Sequence, residues 1–420
     1  MKDIKKITIQ NTVLLKLISV VLMLVINVDC KSKQESKEDK IKLKKGTFAY
    51  DLDFLSQYYN DLVVLQDDKS SIIISPALQA RVMTSTANGQ EGQSFGWINY
   101  DLIASGERLE HFNPLGGEER LWLGPEGGQF SIYFKPGTPF EFNNWYVPKE
   151  LDSESFTLLS RTTSSSHFEK RMNLVNYSGA NFDIKVDRTI SLLTPTQMLN
   201  ALRITLPESV KAVGFETINT LMNTGKNAWN KDSGMLSIWI LSMFNPSDRT
   251  TVIIPFKAGD TAKFGKIVTD DYFGKVPEDR LALADSVLLF KADGQKRGKI
   301  GISALRAKPF MGSFNAVNKV LTIAHFSLPE GKTEYVNSQW AYQENPFKGD
   351  VVNAYNDGPL EEGPQLGPFY ELESSSPAAA LQPGEKLTHV HQTYHFEGDQ
   401  KSLNGIALQL LGVSLDNLKL

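Results

Sequence analysis

The sequence predicts an all-β fold, a large antiparallel sandwich carrying one or two short helices. Short runs rich in branched and aromatic residues recur along most of the chain, each closed by Gly, Pro, Asn or Asp. The chain's 31 Gly and 19 Pro among 420 residues supply the turns that so many short strands need. Beyond residue 48 no Pro/Gly/Ser linker divides the chain, so one domain is the simpler organisation, and single all-β domains often exceed the average domain length.

The first 30 residues read as a lipoprotein signal peptide. Lys2, Lys5 and Lys6 form a basic start, Leu17 to Ile26 is an apolar run too short for a comfortable membrane span, and Cys30, the single cysteine, follows directly. Lipidation at Cys30 is expected; an uncleaved N-terminal anchor is the alternative, and both export the domain and tether it. A lone thiol excludes an internal disulfide framework. Residues 31–47 are almost wholly charged or polar at their start, cannot bury a core, and are read as a flexible linker.

The domain proper is expected over residues 48–420. Leu52, Leu55, Tyr58, Tyr59 and Leu62 fall at helical spacing, with Asp51 as the expected cap. Strands are expected at Ser71–Ser75, Met235–Met243, Thr251–Ile254, Val287–Phe290 and Val320–Phe326. A second helix is expected over Thr194–Leu202, where Thr194 caps and Pro195 takes the first helical position.

Charge excludes one class of partner. Lys and Arg total 44 against 48 Asp and Glu, for a formal net charge of −4, and no stretch interleaves basic with aromatic residues as a nucleic-acid surface does.

Three segments carry residues suited to chemistry. In Phe369–Ser374, strand alternation sends Glu371 and Glu373 to one face; in Leu387–Phe396 it sends His389, His391 and His395 to one face, half of the chain's six histidines. If these two strands pair as neighbours across the turn-rich Pro377–Glu385, Glu373 meets His389 and Glu371 meets His391, giving an acid/base pair near neutral pH. A solvated polar face is the structural alternative. A metal site of His-x-His plus Glu is a third reading, but no further motif supports it, so no metal and no cofactor is expected.

Asn113–Gly128 places glycine pairs around a strand that presents Arg120 and Trp122, with Glu126 at the rim of a cleft; the alternative is a plain glycine-rich hairpin. It lacks the Lys and Ser/Thr of a phosphate loop, which excludes nucleotide binding there. Arg81, Trp97 and Asn99, from the polar stretch Ala80–Asn99, offer the hydrogen bonds and ring surface that a sugar requires, or else a core Trp beside an irregular edge.

Leu372-Glu373-Ser374, Pro377, Leu381-Gln-Pro-Gly-Glu385 and Thr393-Tyr-His-Phe396 resemble the C-terminal end of galactose mutarotase and the other aldose 1-epimerases. The resemblance implies a β-supersandwich, with Glu373 as the general base that takes the proton from a sugar's anomeric hydroxyl. Residues 48 to about 400 are also similar to a group of bacterial lipoproteins placed near that superfamily, on Arg81–Thr86 and Gly96–Asn99. Two family histidines have no counterpart here: Leu241 stands at the position of the acid histidine, and Leu115-Gly116-Gly117 meets the second motif without its imidazole. Either His389, His391 or His325 replaces them, or the reaction differs, or there is none.

The expected function is acid/base chemistry on a mono- or oligosaccharide by an exported, lipid-anchored protein of the periplasm or outer membrane. In this reading Glu373 is the base and His391 or Glu371 the acid, while Arg81, Trp97, Asn99, Arg120, Trp122, Glu126 and His389 hold the sugar. The alternatives are a carbohydrate-binding lipoprotein without catalysis, serving polysaccharide uptake, and a glycan lyase or hydrolase on the same fold.

Overall fold

Among the described residues, eighteen strands in three antiparallel sheets build the domain, and two of these sheets stack face to face, which leaves the site on the outer face of the smaller one. The structure is a computed structural model that describes residues 43–359, 365–418 and 420. The predicted signal peptide, Cys30 and most of the charged linker lie outside the described residues.

In chain order the strands are β1 Val63–Asp67, β2 Ser70–Ser75, β3 Arg81–Thr86, β4 Arg120–Gly124, β5 Thr157–Arg161, β6 Ser165–Val175, β7 Asn181–Leu192, β8 Lys211–Asn223 and β9 Ser237–Leu241. They continue with β10 Thr250–Pro255, β11 Leu281–Ala284, β12 Val287–Lys291, β13 Gly298–Ser303, β14 Phe310–Asn315, β15 Val320–Phe326, β16 Asp350–Asn356, β17 Tyr370–Ser375 and β18 Lys386–Glu397. The small sheet is β1-β2-β3, the large one runs β11-β12-β10-β14-β15-β18-β8-β7-β6-β5, and the third runs β13-β16-β17-β9-β4.

The ten-stranded and five-stranded sheets stack with their apolar faces together. Val252, Ile254, Leu288, Met311 and Ala324 from the large sheet share one core with Ile300, Ile302, Val352, Ala354 and Leu372 from the five-stranded sheet. Burying such a face is the dominant favourable term, at about 25 cal/mol for each Å² removed from water. The outer face of the large sheet is covered by helices Pro195–Leu202 and Gln400–Leu411, whose Met198, Leu403 and Ile406 pack on Leu321, Ile323, Tyr394 and Phe396.

The helix at the domain's start is Phe48–Tyr58, capped by Thr47 rather than Asp51. Asp51 is instead buried in its first turn, where it accepts hydrogen bonds from Ser94 and, at 2.5 Å, from Tyr100. Leu62 falls beyond the helix, because Tyr59 already has extended backbone. At Pro195–Leu202, Thr194 and Gln197 form a reciprocal capping box.

The predicted pairing of the two C-terminal strands is overturned. β17 pairs with β16 and β9, whereas β18 pairs with β15 and β8, so the strands lie in opposite sheets. Pro377–Glu385 is therefore a crossover between layers and not a hairpin. A one-strand alternation fixes which side chains share a face, but says nothing of which strand is the neighbour.

Candidate functional site: a charged face of the five-stranded sheet

The two faces of β17 lead to two different places. Tyr370, Leu372 and Ser374 point into the core between the sheets, while Glu371 and Glu373 point away from it. Register continues that second face across the sheet: Glu373 lies opposite Asn353 and Leu241, Glu371 opposite Tyr355, Tyr355 opposite Lys299, Asn353 opposite Gly301, Leu241 opposite Arg120, and Trp239 opposite Trp122. Five strands thus contribute one acid, base or large ring each, or more than one, to a single surface.

On that surface the charges pair. Lys299 Nζ donates to Glu373 Oε2 at 2.9 Å, and Trp239 Nε1 donates to the same oxygen at 2.9 Å. Arg120 Nη2 donates to Glu371 Oε1 at 2.6 Å, with its guanidinium 4.4 Å from the Trp122 ring centre and 5.0 Å from that of Phe112. Tyr272 Oη donates to Asp350 Oδ2 at 2.7 Å, and Tyr355 Oη to Asp357 Oδ1 at 2.6 Å. Gly301 makes room for this arrangement: a Cβ there would stand 2.1 Å from Asp350 Oδ2 and 2.7 Å from Asn353 Nδ2.

Glu126 follows β4 after the cis Gly124–Pro125 bond, and is fixed by its backbone, whose N–H donates to Ser338 Oγ at 3.2 Å and whose carbonyl accepts from Ser131 Oγ at 2.5 Å. Its carboxyl feels the charges of Lys299, Glu373 and Arg297, and the Trp340 indole N–H stands beside it. The charged residues are buried, with Glu373 at 0% exposure and Glu126 at 9%, whereas Tyr272, Phe273, Arg297 and Trp340 are half-buried. Arg297 lies over the Phe273 ring at 3.9 Å, and Trp340 stacks on Trp145 at 5.7 Å.

Burial sets the protonation states. It pushes Glu371 up to about 7, with Glu373's charge adding to the shift and Arg120 opposing it. Burial likewise raises Glu126, against the pull of Lys299. For Lys299 burial works against the charge, but Glu373, Glu126 and Glu371 outweigh it and its pKa rises. This face therefore holds a cation bonded to one carboxyl group, a second carboxyl raised to about 7 and a third raised by burial, an arrangement suited to proton transfer. Among the described residues no group of three or more His, Cys, Asp and Glu is arranged to hold a metal ion.

Residues 46–420 match the model of a family described as a family of unknown function, DUF6786. The chain belongs to this family. A search of curated proteins finds no match. Among solved structures, this DUF6786 chain is similar to a candidate aldose 1-epimerase from Escherichia coli K12, at 10% identity and a TM-score of 0.47 over 80% of this chain and 99% of that one. It is also similar to a galactose mutarotase-like protein from Lactobacillus casei ATCC 334, at 10% identity and 0.43 over 80% and 99%. A galactose mutarotase related enzyme from Lactobacillus acidophilus aligns at 12% identity and 0.42 over 80% and 98%.

In the DUF6786 chain the structure brings together Glu371, Glu373, Arg120, Trp122 and Glu126 of the sequence-predicted set. It does not bring His389 or His391 to them. Both lie between the sheets, bridged by Ser374 Oγ at 2.9 Å from His389 Nε2 and 2.8 Å from His391 Nδ1, on the opposite face of β17 from Glu373. Burial drives His389 down to about 3 and His391 well below the usual range, the latter helped by His389 and Arg188, so both imidazoles are held neutral and neither is an imidazolium acid. His325 bonds Gln392 at 2.8 Å and stacks on Phe310, toward the other side of the large sheet.

Arg81, Trp97 and Asn99 are also elsewhere. Fully buried Arg81 donates to the Gly116 carbonyl at 2.6 Å and to Gln79, Trp97 packs on Phe369 at 4.8 Å, and Asn99 caps helix Tyr100–Ser105. These are supports of the fold. Leu241, at the position of the missing acid histidine, does stand on the cleft face opposite Glu373.

Sequence reasoning missed Lys299, Arg297, Tyr272, Trp239 and Trp340. One signal was available: in Arg297-Gly-Lys-Ile-Gly-Ile302 a lysine alternates with isoleucines inside a strand, and a buried strand lysine calls for a carboxylate partner.

Proposed function

We propose that this chain binds a carbohydrate in the cleft over the five-stranded sheet and moves protons at the sugar's anomeric centre, from an exported position anchored through lipid on Cys30. The observation that carries the reading is the convergence of three carboxyl groups, Glu126, Glu371 and Glu373, with Lys299, Arg120 and a set of tryptophan and tyrosine rings on one sheet face. A pyranose offers hydroxyls around its rim and an apolar patch on its face; charged groups in the plane and rings against the patch answer both. Glu373 is the expected base, with Lys299 and Trp239 holding its Oε2 and leaving Oε1 without a partner among the described residues.

The test is anomer exchange. Proton NMR on freshly dissolved α-glucose or α-galactose reads interconversion above the spontaneous rate, and calorimetry reads binding. Glu373→Gln should keep binding and lose turnover. Fatty-acid labelling of the wild type but not of Cys30→Ser tests the anchor.

A specific observation favours a second reading, a sugar-binding protein without catalysis: Leu241 and not an imidazole stands opposite Glu373, and Glu373 Oε2 is already tied to Lys299. In that case binding is found and no sugar's anomers interconvert faster than in buffer.

A further inference from the structure

Resting on the enzymatic reading above, we infer that Glu126 is the proton donor of the cleft, the catalytic acid that stands in for the absent histidine and works with Glu373 as base. The other buried carboxyls around Lys299 each have a side-chain partner. Glu371 is held by Arg120, Glu373 by Lys299 and Trp239, Asp350 by Tyr272, and Asp357 by Tyr355. The Glu126 carboxyl forms no ion pair among the described residues and has only the Trp340 indole N–H beside it, so it is the carboxyl of this surface least held by a protein partner.

Its placement supports the role. The backbone of Glu126 is pinned on both sides by Ser338 and Ser131, so the carboxyl is held without being spent on a partner. The groups facing it are Lys299, Glu373, Arg297, Tyr133 and Trp340, and their sum with burial leaves the neutral acid favoured above the ordinary carboxylate range. Glu373 and Glu126 are thus two carboxyl groups near one lysine, which is bonded to the first and not to the second.

The step balances without a co-reactant. Glu373 takes the proton of the anomeric hydroxyl, the freed O–H pair becomes the second C1=O1 bond, the C1–O5 bond breaks with its pair to O5, and O5 takes the proton of Glu126. After rotation about C1–C2, O5 attacks the other face of C1, its proton returns to Glu126, and Glu373 gives its proton to O1.

The experiment uses the full chain with E126Q, E126D and E373Q, freshly dissolved α-glucose and α-galactose as probes, and infrared spectroscopy of the carboxyl stretch. The expected result is that E126Q loses part of the neutral-carboxyl absorption that the wild type keeps just above the ordinary carboxylate range, the rest belonging to Glu371, binds sugar within a few-fold, and interconverts anomers about 100-fold or more slowly, the range of general acid catalysis. E126D should shift the band and recover part of the rate. Neutral-carboxyl absorption undiminished in E126Q, or a wild-type rate in E126Q, overturns the assignment of Glu126 and leaves the enzymatic reading standing if E373Q is inactive. A wild type that binds sugar without interconverting it overturns that reading and this assignment with it. Should E126Q not fold, E126D decides alone: unchanged band and rate overturn the proposal.

Discussion

Lys299 and Glu373 form an ion pair buried on both sides, Nζ to Oε2 at 2.9 Å, with side-chain exposures of 7% and 0%. Two charges out of water are tolerable only together. Lys299→Met should therefore destabilise the fold by about 3–5 kcal/mol, since it leaves Glu373 uncompensated, while Lys299→Met with Glu373→Gln should lose clearly less. Denaturant unfolding of the four proteins in a double-mutant cycle measures this; a double mutant as unstable as the sum of the singles would sink the claim.

The histidines between the sheets predict an acid limb of instability. His389 titrates at about 3 in the folded protein because burial opposes its charge, and near 6.5 once exposed. Between those values the unfolded chain binds the extra proton, so stability is full above pH 6.5 and falls as pH drops toward 3. His389→Gln should lower stability at pH 7, through weakened bonds to Ser327 and Ser374, yet show a shallower loss on acidification. Unfolding midpoints from pH 7 to pH 4 test it, and parallel curves would refute it.

Glu371 predicts the opposite slope. Burial raises its folded pKa to about 7 from 4.5, so the folded state holds the proton more tightly and stability declines as pH rises from 4.5 through 7. Its Gln variant is close in shape to the protonated acid. Wild type and Glu371→Gln should be alike near pH 4.5, and the wild type should fall behind by on the order of 2 kcal/mol above pH 7. A wild type that gains on the variant as pH rises would mean that the Arg120 pair stabilises more than burial costs.

The contrast between these groups marks how far the sequence could be read. Period-two alternation placed Glu371 with Glu373, and His389 with His391, on common faces, and both groupings hold because side-chain alternation is local geometry. Which faces meet is not local: β17 and β18 are 10 residues apart between Ser375 and Lys386 and still lie in opposite sheets. Glycine pairs announced the cleft loops at Gly116-Gly117 and Gly127-Gly128, and Arg120, Trp122 and Glu126 follow from them. Lys299 and Trp340 come from segments more than 170 residues away from that loop, and only the packed sheet and its covering loops bring them there. Arg81, Trp97 and Asn99 have sugar-binding chemistry in isolation; burial, ring packing and helix capping use it up.

The last prediction concerns the covering segment and the glycine beneath it. A Cβ at Gly127 would stand 2.4 Å from the Gln339 carbonyl oxygen, 2.7 Å from its carbon and 2.9 Å from the Ser338 carbonyl oxygen, all of them backbone atoms of the segment that carries Trp340. No rotamer change relieves such a contact. Gly127→Ala must push the segment outward, lifting Trp340 off Trp145 and away from Glu126 and breaking the Ser338 bond to the Glu126 N–H. The stability cost should be about 1–3 kcal/mol, as for other overpacked sites. Sugar binding and the tryptophan fluorescence change that accompanies it should fall with it, as they should in Trp340→Ala, where a lost ring contact is worth about 1 kcal/mol in affinity. Gly405→Ala is the control: it lies inside helix Gln400–Leu411 with open space around the added methyl, and should stabilise by about 0.5–1 kcal/mol with binding untouched. Calorimetry and fluorescence titration with the same sugars, run beside thermal unfolding, separate the two outcomes; if Gly127→Ala binds sugar as the wild type does, Trp340 and its segment are not part of the binding cleft.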